Sequence, residues 1–186
     1  TTTRDRRHID KRIRSILSGR KNMRVGDTLI SRVLLRKVAK SVGVLLPEST
    51  LNPKDHQNVP AVLRLYKVLA DIVETGAKKE CDPSLMRTLG DLATASLFLS
   101  AIRNYYYVND NTLTQKLVWC SVGLHLGMAL YRAHGPAFLP KAIYRDTTED
   151  MLAQFSDVWL QQKDFPDSHH YVCLRGNQQV EVPPPP

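Results

Sequence analysis

Residues 82–103, DPSLMRTLGDLATASLFLSAIR, decide the fold class. Asp followed by Pro is a helix start: the Asp caps, and Pro takes the first helical position, where its missing N–H costs nothing. Behind it Leu85, Met86, Leu89, Leu92, Ala93, Leu97, Phe98, Leu99 and Ile102 leave the helix apolar nearly all round. Such a helix belongs in the centre of a bundle. The next segment, 112–134, reads the same way and carries Gly123 and Gly127 four apart, a spacing suited to close helix packing; Gly135-Pro136 ends it. Its uncharged run, 117–131, falls short of the roughly twenty residues that span a bilayer, so a buried core helix is expected.

Working outward, a helix over 60–75 turns Val62, Leu65, Tyr66, Leu69, Ile72 and Val73 inward and stops at Gly76. A last helix is expected from Thr147, where Thr147 and Asp150 have the spacing of a capping box, to about 163. Gly is scarce, at nine residues, and strictly alternating β-branched runs are few, which argues against an all-β domain. Residues 171–175 read as a short strand, and Pro183 to Pro186 as an extended polyproline tail.

The charge is unevenly placed. Residues 1–40 hold thirteen Lys and Arg against three Asp, a net of +10, while the other 146 residues hold thirteen basic and fifteen acidic side chains, a net of −2. Over 6–18, Ile9, Ile13, Ile16 and Leu17 share one arc and Arg7, Lys11 and Arg14 lie opposite. A basic loop, 19–26, follows. A second helix is expected from an Asp27 cap to about Leu45, with Ile30, Leu34, Leu35, Val38, Val42 and Leu45 on one side and Arg32, Arg36 and Lys40 on the other. Pro47, Pro53 and Pro60 punctuate the sequence after it. The expected fold is therefore all-α: a basic arm of two helices (1–46), a linker (47–59), a compact bundle of about four helices (60–163) and an extended Pro-rich tail (164–186).

No motif carries catalysis. Gly26 is followed by Asp27, a negative charge where a phosphate-binding loop needs Lys, and a helix rather than a strand precedes it. No Gly-x-Ser-x-Gly elbow and no His-Glu-x-x-His is present. His169, His170 and Cys173 form the only local cluster of metal-ligand types, and Cys120 and His125 are five apart on differing faces, so no metal and no cofactor is expected. His125, in an apolar helix, reads as a hydrogen-bonded core residue. Three widely spaced cysteines, Cys81, Cys120 and Cys173, read as reduced thiols. They fit a virion or an intracellular reducing compartment; no signal peptide or transmembrane segment is read.

The partner class follows from the charge. A basic segment on a near-neutral body suits an anionic polymer, because phosphate neutralisation is additive and tolerant of sequence. Arg4, Arg6, Arg7, Lys11, Arg12, Arg14, Arg20, Lys21, Arg24, Arg32, Arg36, Lys37 and Lys40 are the expected contacts to RNA or DNA. Tyr105, Tyr106 and Tyr107, beside Arg103, are candidates for base stacking or for a subunit contact. Basic arm, linker, helical body and Pro-rich tail is the layout of proteins that coat genomes, viral nucleocapsid and coat proteins among them, and it implies a homo-oligomer rather than an enzyme. Leu160, Phe165 and Tyr171 are the apolar residues expected between copies. The alternatives are a matrix-like protein whose Ile9, Ile13, Ile16 and Leu17 dip into an anionic membrane, and a helical module that docks a protein partner.

Overall fold

Asp82 caps as its sequence implies: its Oδ1 accepts from the Ser84 and Leu85 N–H groups, and Pro83 follows it. The computed structural model describes residues 6–19, 22–52, 58–164, 167, 171–175 and 178–182. Among these residues the chain forms α1 (Arg6–Ser18), a hairpin of β1 (Met23–Val25) and β2 (Thr28–Ile30), α2 (Arg32–Val42), α3 (Val59–Ala77), α4 (Pro83–Tyr107), α5 (Leu113–His134), α6 (Lys141–Asp164), and a second hairpin of β3 (Tyr171–Arg175) and β4 (Gln178–Val182). The all-α expectation holds, with six helices and little strand.

Helices α3 to α6 pack each on the next, and α1 lies against both α3 and α6, closing the bundle. Two close approaches set the α4–α5 spacing. A Cβ on Gly127 would stand 2.9 Å from the Phe98 ring, and one on Gly123 would stand 3.5 Å from the Ala101 methyl and 2.6 Å from the Met151 methyl. At Gly127 the obstacle is a rigid ring, so that position requires glycine; at Gly123 the nearest atom is the flexible end of Met151. The pairings also show that α4 and α5 run antiparallel. Thr112 caps α5 by accepting from Gln115 N–H, and Gln115 Oε1 accepts in return from Thr112 N–H.

Several boundaries differ from expectation for identifiable reasons. Asp27 caps nothing. It occupies the second turn position of the β1–β2 hairpin, after Gly26 at φ +57°, and Val25 pairs with Thr28. Ser31 caps α2 instead, its Oγ accepting from Leu34 N–H. The loop read over 19–26 is thus in part a strand, whose Met23 and Val25 are buried. Thr147 does not start the last helix either. The Pro140 carbonyl accepts from Ile143 and Tyr144 N–H to open α6, and the Thr147 hydroxyl donates to the Ile143 carbonyl one turn back. The strand read over 171–175 is β3, paired in register with β4. Phe165 and Pro183 to Pro186 lie outside the described residues.

The division into arm, linker and body also gives way. Ile9, Ile13, Ile16 and Leu17 are buried in the same cluster as the core residues of α3 to α6. Within the segment read as linker, a 3-10 turn over Glu48–Leu51 buries Thr50 and Leu51 against α3 and α1. An amphipathic helix in water finds an apolar partner, and the nearest is the chain's own bundle.

Candidate nucleic-acid interface

The thirteen expected basic contacts sort into three groups. Arg4, Arg20 and Lys21 lie outside the described residues, as do the side chains of Arg6 and Arg7, whose backbone begins α1.

A second group is engaged in the fold. Arg14 is only 3% exposed. Its Nε donates to the Thr50 carbonyl at 3.1 Å, and its Nη2 to the carbonyls of Ser49 at 3.1 Å and Asn52 at 3.3 Å. The planar guanidinium holds the 3-10 turn onto α1, so Arg14 is corrected from phosphate ligand to internal clamp. Arg12 is half-buried and reaches Asp146 of α6 at 3.1 Å. Lys11 is half-buried as well.

The third group lines the outward side of the β1–β2 hairpin and α2. Arg24 projects opposite to the buried Met23 and Val25, paired across the hairpin with the exposed Leu29. On α2, Lys37 and Lys40 are exposed, while Arg32 at 3.3 Å and Arg36 both engage Glu48 Oε2. One carboxylate shared by two guanidiniums leaves the cluster net positive. Glu48 is itself mostly exposed, so these pairs are screened and readily exchanged for a phosphate.

Two lysines from the body extend this surface. Gly43, just past α2, lies beside the Lys79 ammonium, whose Nζ is 3.3 Å from where a Cβ on Gly43 would stand. Lys78 and Lys79 follow the end of α3, and both are exposed. Nothing in the sequence pairs them with Lys40, because only the packing of Val42 on Gly76 brings the ends of α2 and α3 together. Cations at helix C-termini are also favoured by the helix dipole.

The three tyrosines turn inward. Tyr105 is buried and its hydroxyl donates to Gln154 Oε1 at 3.4 Å; Tyr106 donates to Asp150 Oδ2 at 2.6 Å and Tyr107 to Asp10 Oδ2 at 2.5 Å. Asp10 and Asp150 are buried carboxylates, so these side chains join α4 to α1 and α6, with Tyr106 and Tyr107 left half-buried. Nothing in the local sequence shows that buried acids on α1 and α6 draw these hydroxyls in. His125 departs from expectation in the opposite sense: it is exposed on α5, with Nδ1 3.3 Å from Ser121 Oγ.

Among the described residues no group of three or more His, Cys, Asp and Glu could hold a metal. The Cys81 thiol donates to the Gly76 carbonyl at 3.9 Å and the Cys120 thiol to the Met151 carbonyl at 3.5 Å. Among the described residues one helix, α4, is long and apolar enough by composition to cross a membrane, and it packs within the bundle here. Comparison with family models, curated proteins and solved structures finds no match.

Proposed function

We propose that this chain is a structural protein that coats or packages nucleic acid without sequence preference, a viral coat or nucleocapsid-type subunit acting as a homo-oligomer rather than an enzyme. The observation that carries the reading is the segregation of charge, +10 in residues 1–40 against −2 elsewhere, together with the outward side of α2, where Lys37 and Lys40 are exposed and the Lys79 ammonium lies beside Gly43 at the helix end. Non-specific binding needs many cations able to follow a phosphate backbone, and no precise constellation.

Deleting the first forty residues would not test this, because α1 belongs to the core. The informative variant is Lys37→Gln/Lys40→Gln/Lys79→Gln in the full chain. Titration of a fluorescent oligonucleotide against salt should show weaker binding and a slope reduced by about 0.7–0.9 for each phosphate no longer neutralised. Affinity that ignores both salt and the triple substitution overturns the reading.

A second reading rests on its own observation. Val33 and Leu45 are 74% and 84% exposed, and with Leu29 they interleave the same lysines. Apolar groups among cations suit an anionic lipid surface. The Ile face of α1 cannot serve that role, being buried. Co-sedimentation with anionic vesicles that is abolished by Val33→Ser/Leu45→Ser, while oligonucleotide binding is absent, would favour the membrane.

A further inference from the structure

Glu48 reaches α2 from an anchored position. It opens the 3-10 turn Glu48–Leu51, in which Thr50 and Leu51 are buried and the Ser49 and Thr50 carbonyls each accept from the Arg14 guanidinium at 3.1 Å. The turn packs on α1 and α3, so its backbone is held from that side. The Glu48 side chain is 73% exposed and extends to Arg32 and Arg36. These two arginines are four residues apart, on one side of α2, and Lys40 stands exposed one turn further on.

The carboxylate fits this pair poorly. Arginine holds a carboxylate best through two parallel N–H bonds to its two oxygens. Here Arg32 Nη2, at 3.3 Å, and Arg36 Nη2 both donate to the single oxygen Oε2. Arg32 Nε is buried and has no hydrogen-bond partner among the described residues. A phosphate group presents more oxygens than a carboxylate, enough to give each guanidinium an acceptor of its own.

We infer that Arg32 and Arg36 form a phosphate subsite and that Glu48 is its built-in competitor, displaced when a nucleic-acid strand binds. The inference rests on the proposed function and adds a selectivity to it. Because the turn is anchored, a displaced Glu48 stays close and opposes a phosphate that arrives alone. A strand that also meets Lys40 gains the further contacts of a multivalent ligand and keeps its place. The ion pairs given up are exposed and screened, so each is weak and open to exchange. The competitor thus favours a polymer of phosphates over small ones.

Titration of the full chain with a fluorescent oligonucleotide and, separately, with inorganic tripolyphosphate tests this. Glu48→Gln should tighten both about three- to tenfold. It should also steepen the oligonucleotide salt slope by about 0.7–0.9 for each guanidinium freed. The circular-dichroism melt should change little, since the side chain is exposed. Adding Arg36→Gln should cancel the gain. Asp157→Asn removes an exposed acid from α6 and should leave affinity within about twofold of the parent, which separates a local contact from net charge. A Glu48→Gln chain that gains no more than Asp157→Asn with either probe overturns the inference, and if the parent still binds oligonucleotide in a salt-dependent way the proposed function survives it. A gain for tripolyphosphate alone, with no oligonucleotide bound by any variant, supports the subsite and overturns the coat reading.

Discussion

The Tyr107 hydroxyl donates to Asp10 Oδ2 at 2.5 Å, tying the last residue of α4 to the first half of α1. Tyr66 of α3 donates to the other oxygen of the same carboxylate at 3.2 Å, so three helices meet on one buried side chain. A buried acceptor with its donors satisfied stabilises modestly, and one that loses a donor bears its desolvation cost. Tyr107→Phe should therefore lower the unfolding free energy by about 1–3 kcal/mol, and Asp10→Leu, which strands two hydroxyls, by more. Urea denaturation with an unchanged m-value checks both. A Tyr107→Phe chain as stable as the parent would show that this junction contributes nothing.

The three glycines at 90, 123 and 127 should respond differently to alanine. A Cβ on Gly90 meets nothing within 4 Å, so Gly90→Ala should gain about 0.5–1 kcal/mol from the lower backbone entropy of its unfolded state. A Cβ on Gly127 meets the rigid Phe98 ring, and Gly127→Ala should lose about 1–3 kcal/mol by overpacking. Gly123→Ala should fall between them, because the nearest obstacle is the flexible end of Met151. Thermal melts rank the three; Gly127→Ala melting at or above the parent temperature would contradict the packing described.

Lys116 is buried at the start of α5, and burial lowers its pKa below the usual lysine value of 10.5. Between its folded and unfolded pKa values the unfolded chain binds the extra proton, so stability attributable to this residue rises with pH through that window. Below the folded pKa the ammonium is charged in both states and its desolvation cost stands in full. The difference in unfolding free energy, parent minus Lys116→Met, should therefore increase as pH approaches 10.5 from below. A pH-independent difference would mean that Lys116 titrates alike in both states.

What the sequence revealed follows the range of the forces involved. The cap at Asp82 acts within three residues and was legible, as were the apolar helices read over 60–75, 82–103 and 112–134. The β1–β2 hairpin was not, because strands of three residues carry too little alternation to register. Thr147 and Asp150 imitate a cap, and only the neighbouring helices show that both are buried inside α6. The candidate interface was half legible for the same reason. Periodicity separates a polar face from an apolar one but does not show what covers the polar face. Arg14 and Lys40 both lie opposite an apolar arc; a 3-10 turn covers the first and nothing described covers the second.

That contrast yields the sharpest test of the interface. Arg14→Met removes the hydrogen bonds to the carbonyls of Ser49, Thr50 and Asn52 and leaves these to find other donors. It should lower stability by about 2–4 kcal/mol, the range for losing one member of a buried polar network. Measured below its melting temperature, the folded protein should still bind oligonucleotide with the parent's salt slope, since a buried guanidinium contacts no phosphate. Lys37→Gln/Lys40→Gln should do the reverse, leaving the melt within about 0.5 kcal/mol of the parent while weakening binding and flattening the slope. If Arg14→Met flattened the salt slope as strongly as the lysine pair, with folding intact, the first helix rather than α2 would be the surface that meets the phosphates.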